Sequence, residues 1–213
     1  MTHTEKVHIY FGLGLCLIGL FALVATRFPN SRARVVWPVL VFVVGFLLFI
    51  PVEAQTRTYQ EVGWWETFLS WIPDDVNYWL TNWLAKARET HVLQHKVAGV
   101  FAMIVGVIEL GVVRRWGVAR WRVAVPWLTI LVGLSLGVHG GSSHHLPTVQ
   151  EQAHHWILGI GFVSAGLVQF LHRRGILARP EWRYAWPVVM TLTGADLALF
   201  YRLAAASAGH GSH

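Results

Sequence analysis

The residues of this chain best suited to bind or transfer something are its histidines, of which there are twelve. His91 and His95 are four residues apart, so on a helix both imidazoles project from one face toward a single ion. Glu151 stands four residues before His155 and repeats that arrangement with a carboxylate in place of the first imidazole. Neutral imidazoles are good ligands for copper and zinc, so these spacings favour a transition-metal site.

Further histidines extend this predicted site. The segment HGGSSHHLPTVQEQAHH contains no Lys or Arg that would repel a cation. We predict a site, most simply for copper with zinc as an alternative, whose ligands are drawn from His8, His91, His95, His139, His144, His145, Glu151, His154 and His155. Asp196 is predicted to support this site by holding the other ring nitrogen of one histidine, although pairing with Arg202 is an equal alternative. The simpler alternative for any single histidine is an interfacial cap bonded to a neighbouring loop.

The elements that must position these residues are membrane helices. The chain is 54% hydrophobic and 13% charged, with 12 Trp, a composition typical of polytopic membrane proteins and unlike that of soluble domains. A spanning helix needs about 20 apolar residues. The six predicted spans are 7–26, 35–52, 92–113, 123–139, 155–171 and 184–203.

The basic residues indicate the orientation of these spans. Three short connections carry 11 of the 17 Lys and Arg residues, and the positive-inside rule places such connections in the cytoplasm. Both termini then face outward, and every histidine except His172 lies on the outer side. Because the positive charge follows topology, the net charge of +6 does not indicate nucleic-acid binding. The basic residues are Arg27, Arg32, Arg34, Arg114, Arg115, Arg120, Arg122, Arg173, Arg174, Arg179 and Arg183.

A spacing pattern recurs three times and predicts a triplicated helical hairpin. The odd-numbered spans share H-x3-G-x6-G, and the even-numbered spans share R-x3-P-x6-G. The first pattern comprises His8, Gly12, Gly19; His95, Gly99, Gly106; and His155, Gly159, Gly166. The second comprises Arg34, Pro38, Gly45; Arg122, Pro126, Gly133; and Arg183, Pro187, Gly194. If the hairpins pack around a pseudo-threefold axis, His8, His95 and His155 converge at the outer mouth.

The predicted architecture is therefore an all-α membrane domain over residues 1–213, with six helices as three hairpins. Its parts are hairpins at 7–52, 91–139 and 155–203, a His-rich outer loop at 139–155 and a tail at 204–213. The connection 53–90 mixes five tryptophans with acidic residues, which favours amphipathic helices lying in the headgroup layer. Glu109 is predicted to be a structural residue neutralised by Arg114 and Arg115, and Cys16 an inert buried thiol.

The stretches ETHVLQHKVAGVFAMIVGVIEL, HGGSSHH, QEQAHHWILGIG and RYAWPVVMTLTGADLALFYR resemble the copper resistance protein D (CopD-like) family over about residues 88–203. The resemblance implies a polytopic bacterial inner-membrane protein with histidines near the periplasmic surface, associated with copper uptake or handling. Separately, we expect copper handling or delivery to involve a periplasmic metallochaperone or a larger membrane enzyme complex as partner. It would give a copper role to His91, His95, His139, His144, His145, His154 and His155. With only three Met, a thioether relay through the bilayer is disfavoured, so binding or delivery fits better than a pore.

Two other functions stay open. A single b-type haem between two histidines, for instance His95 and His155, would make the chain an electron-transfer subunit. Alternatively, the chain is an accessory subunit of a larger membrane complex. The sequence contains no catalytic triad order, phosphate-binding loop or paired carboxylate motif that predicts enzymatic activity.

Overall fold

The computed structural model describes residues 3–49, 90–137 and 149–209, and the side chains of 6–49, 93–137 and 152–202. These residues form six α-helices joined at three places by short connections, two of which contain a 3-10 helix, and they include no strand. The α-helices are α1 (His3–Arg27), α2 (Ala33–Phe49), α3 (Thr90–Val113), α4 (Ala124–Gly137), α5 (Val149–Arg173) and α6 (Ala185–Gly209). The 3-10 helices are Val118–Val123 and Pro180–Tyr184. The predicted Trp-rich connection lies outside the described residues.

Every predicted span coincides with a helix, with differences at the ends. The largest differences are at the end of α6, which is Gly209 and not residue 203, and at the start of α5, which is Val149 and not residue 155. As a result, His154 and His155 lie in the second turn of the helix and do not head it. Four segments of the described residues are long and apolar enough to cross a membrane: Lys6–Arg27, Leu93–Val113, Val118–Gly137 and Gln152–Arg173. Ala33–Phe49 is apolar but shorter.

The helices are arranged so that each packs mainly on two others. Helix α1 packs on α2 and α6, α3 packs on α2 and α4, and α5 packs on α4 and α6. The neighbour relations therefore form a closed circuit in chain order, with the first helix against the last. The most extensive interfaces are α1 with α6, α2 with α3 and α4 with α5.

Glycines allow the backbones to touch at these three extensive interfaces. A Cβ atom added to the first glycine of each H-x3-G-x6-G pattern would collide with the carbonyl oxygen of the glycine that ends an R-x3-P-x6-G pattern. Because glycine has no side chain, the helices approach closely there, as small residues allow between helices in lipid. The pairs and the Cβ to oxygen distances are Gly12–Gly194 at 2.7 Å, Gly99–Gly45 at 2.6 Å and Gly159–Gly133 at 2.8 Å.

The second glycine of each odd-helix pattern makes an equally close contact with a proline carbonyl. Here too the same pair of pattern positions meets at all three interfaces. The pairs and the corresponding distances are Gly19–Pro187 at 2.7 Å, Gly106–Pro38 at 2.8 Å and Gly166–Pro126 at 2.7 Å. These three prolines are all fully buried.

The prolines occupy two kinds of helix position. Pro126 and Pro187 are the third residues of α4 and α6, where a backbone N–H would have no partner within the helix. Pro38 lies farther inside α2, at its sixth residue. Prolines therefore occur both in the first turn of these helices and in the interior of one of them.

The basic end of the bundle uses two similar helix terminations. At the end of α5, the Ile176 amide donates to the Leu171 carbonyl (3.0 Å) and the Gly175 amide to the His172 carbonyl (3.1 Å). This is a Schellman motif, and Gly175 supplies its left-handed residue with φ 75°. The end of α3 has the same bonds, but Arg115 takes the left-handed position with φ 60°.

Apolar side chains occupy both the interior and the outer surface. One buried cluster joins α1, α5 and α6 through Ile18, Leu158 and Leu197. On the outside, Ile160 and Leu192 are more than 60% exposed. Together with the four long apolar segments, this surface is that of a helical protein embedded in a bilayer.

Candidate functional site

Two of the predicted ligand histidines meet at one end of the bundle. His8 on α1 and His155 on α5 have ring centroids 6.4 Å apart, with the rings nearly perpendicular. Tyr201 of α6 stacks on His8 with a centroid separation of 4.3 Å. Since α6 packs against both α1 and α5, the last helix brings the two histidines together.

A second pair lies on α5 and α6, beside the first. His154 Nδ1 and Asp196 Oδ2 are 3.0 Å apart, and the ring of Phe200 stacks on the imidazole of His154. The imidazole donates through Nδ1–H to the carboxylate. The neutral tautomer held in this way carries its lone pair on Nε2, the atom that a metal or a proton would take. Of the two partners that the sequence suggested for Asp196, a histidine or Arg202, the structure shows the histidine.

The other predicted ligands are placed less completely. His95 is half-buried on α3. Within the described residues, no group of three or more His, Cys, Asp or Glu side chains could hold a metal ion, so His8, His95 and His155 do not form a three-ligand centre. The side chains of His91 and Glu151 are outside the described part, although both residues belong to helices. His139, His144 and His145 lie outside the described residues altogether.

The sequence reasoning overlooked two lysines and two aromatic residues at this end. Lys6 and Lys96, close in sequence to His8 and His95, are 7% and 5% exposed. The aromatic residues are Phe200 and Tyr201, which cover the imidazole faces. They lie four and five residues after Asp196 on α6. A helical projection of the sequence would have placed them within about one turn of Asp196.

The opposite end of the bundle contains a buried carboxylate. Glu109 of α3 is 1% exposed and accepts hydrogen bonds from Arg122 Nε (3.2 Å) and Arg173 Nη2 (2.8 Å). Arg173 also donates to the backbone carbonyl of Arg122. The expectation that Arg114 and Arg115 neutralise Glu109 is therefore wrong. Those residues directly follow α3, whereas Arg122 lies in the 3-10 helix that precedes α4 and Arg173 is the last residue of α5.

Cys16 is half-buried and its thiol donates to the carbonyl oxygen of Thr191 on α6, with 3.4 Å between Sγ and O. The contact is part of the α1–α6 interface. It gives the thiol a packing role and indicates no chemistry.

No protein-family model, curated protein or solved structure matches the chain. The resemblance to the copper resistance protein D family thus stays a prediction.

Proposed function

We propose that this chain is a six-span membrane protein, built from three repeated hairpins, that binds copper through histidines at its periplasmic end. The repeat is supported by the backbone contacts at three interfaces, where the same pattern positions meet each time. Three hairpins related in this way would close into a ring because the odd helix of each packs on the even helix of the one before it. The last hairpin is followed in the ring by the first.

The proposed orientation follows from charge. His8, His154 and His155 occupy the end of the bundle opposite Arg122 and Arg173, since α5 runs from one group to the other. The positive-inside rule then assigns the arginine end to the cytoplasm and the histidine end to the periplasm of a bacterial inner membrane. Both termini face the periplasm in this arrangement.

The observation that carries the metal proposal is the approach of His8 and His155 to 6.4 Å between ring centroids. Two imidazoles that bind one ion through Nε2 or Nδ1 at about 2.0 Å have ring centroids no more than about 6 Å apart. The two rings are therefore only slightly farther apart than two imidazole ligands of one ion. Copper suits imidazole ligands, and zinc is the alternative.

The pair alone provides two ligands, so the proposal requires others. The chain supplies candidates in sequence before His155, at His139, His144, His145 and Glu151, whose side chains lie outside the described part. His154 does not complete a three-ligand group with His8 and His155 in the described residues; its bond to Asp196 joins α5 to α6 beside the pair. We therefore expect one copper ion per chain, bound by His8, His155 and one or two of these neighbouring residues.

The experiment is metal analysis with an optical spectrum on detergent-purified protein, after equilibration with copper and removal of excess metal. The test variant is His8→Ala/His155→Ala. The matched control is His172→Ala, which removes an imidazole at the opposite end, where His172 Nδ1 donates to the Leu177 carbonyl.

One equivalent of copper in the native protein and in H172A, lost in the double variant, is the expected result. A Soret band in the native protein would instead identify a haem-binding subunit. No metal and no haem in protein shown to be folded by circular dichroism would refute both cofactor functions and favour an accessory subunit.

A further inference from the structure

A cleft of about 290 Å³ opens at the arginine end of the bundle, between α4 and α5. It is separated from the histidine pair by the length of α5. The lining residues are Arg122, Val123, Pro126, Phe170, Arg173 and Arg174. Three of these residues are arginines and three are apolar, so the recess offers both a charged and an apolar wall.

The charge of the cleft is positive. Three arginines line it, and the carboxylate of Glu109 behind them compensates for one. The Glu109 side chain is 2% exposed, while those of Arg122 and Arg173 are 50% and 24% exposed. The accessible wall is therefore cationic, and guanidinium groups bind phosphate oxygens with paired hydrogen bonds.

The apolar half of the cleft continues along the bundle toward the middle of the bilayer. The ring of Phe170 packs against Trp127 with 5.0 Å between centroids, and the guanidinium of Arg174 lies 5.4 Å from the centroid of the same Phe170 ring. Trp127 is 51% exposed. One turn farther along the two helices, Leu131 and Leu167 are each 46% exposed. A molecule held by the arginines would thus have an apolar surface on which to lay a hydrocarbon chain.

We propose that this cleft binds an anionic phospholipid, with the headgroup phosphate on the arginines and an acyl chain along Trp127, Leu131 and Leu167. Basic recesses between membrane helices on the cytoplasmic side are suited to such headgroups. A free phosphate ion shares the headgroup chemistry but would leave the apolar half of the cleft unused, and that half is the reason for assigning a lipid.

The test is native mass spectrometry of the full chain titrated with phosphatidylglycerol or with phosphatidylcholine in detergent. The test variant is Arg122→Gln/Arg174→Gln, and the matched control is Arg114→Gln/Arg115→Gln, which removes the same charge at the same end outside the cleft. Because Arg122 also bonds Glu109, the single variant Arg174→Gln is measured as well; it leaves the Glu109 contacts in place.

The native chain and the control are expected to retain phosphatidylglycerol in preference to phosphatidylcholine. Each arginine near an anionic headgroup contributes about fivefold in affinity, so R174Q should lose about fivefold and the double variant more. Equal losses in the R114Q/R115Q control would overturn the proposal, because general surface charge would then explain the binding. Displacement of the lipid by millimolar inorganic phosphate, without dependence on acyl chain length, would identify a phosphate site instead.

Discussion

His154 and Asp196 join α5 to α6 through a hydrogen bond of 3.0 Å between Nδ1 and Oδ2. Their side chains are 17% and 35% exposed, so water reaches the pair only in part. His154 directly precedes His155, and Asp196 lies five residues before Tyr201. The bond is therefore next to the ring contacts that His8 makes with His155 and with Tyr201. This relationship makes α6 the support for the histidines of the neighbouring helices.

Replacing Asp196 by Asn should destabilise the protein by about 1 kcal/mol, because the bond is partly exposed and loses its charge. The measurement is a double-mutant cycle with His154→Ala, in which thermal unfolding in detergent gives the stability of the native protein, the two single variants and the double variant. Coupling between the two substitutions of at least about 0.5 kcal/mol is expected for residues in contact. Additive effects would mean that the bond contributes nothing to stability.

Substitution of the glycines at the helix interfaces should have similar effects at three places. Gly12→Ala, Gly99→Ala and Gly159→Ala each place a Cβ atom within 3 Å of an opposing backbone, and overpacking of this kind costs about 1 to 3 kcal/mol. Gly137→Ala is the control, since its nearest contact would be the Trp156 ring at 3.4 Å. Thermal unfolding of the four variants tests the expectation. Losses no larger than that of the control would contradict the close contact of the backbones.

Glu109→Gln should be among the most damaging single substitutions, at roughly 3 kcal/mol, because two guanidinium groups lose their buried counter-charge. Glu181→Gln removes an exposed carboxylate at the same end and should change stability by less than about 0.5 kcal/mol. Denaturant unfolding in detergent compares the two. If the variants were equally stable, the ion pairs of Glu109 would have no structural importance.

Substitutions of Tyr201, whose ring stacks on His8, give a second test of the copper proposal. Tyr201→Phe keeps the ring on His8, whereas Tyr201→Ala removes it. We expect Y201F to retain copper and Y201A to bind it about tenfold or more weakly, as with other groups that orient a ligand. Competition against a copper chelator measures the affinity. Equal affinities in the two variants would mean that the stacking does not position His8.

The sequence was sufficient to predict the helices, because each is a long apolar stretch bounded by charged or turn-forming residues. It also predicted that histidines and arginines gather at opposite ends. The partners of Glu109 could not be predicted, since Arg114 and Arg115 are its neighbours in sequence while Arg173 is 64 residues away. That distance is closed only by the packing of α3, α4 and α5. The same limit applies to the histidines: the pattern positions of His8 and His155 are equivalent in sequence, but the 6.4 Å between their ring centroids follows from the packing of α1 and α5 on α6.

The packing of α1 on α6 has a consequence for biosynthesis. Helix α1 leaves the ribosome before α6, so the glycine face that receives α6 cannot be covered by it until α6 has been made. At ordinary rates of translation that interval lasts on the order of ten seconds. During this time the face of α1 that contains Gly12 and Gly19 is not covered by α6. Another nascent copy, or a membrane chaperone, can then contact it.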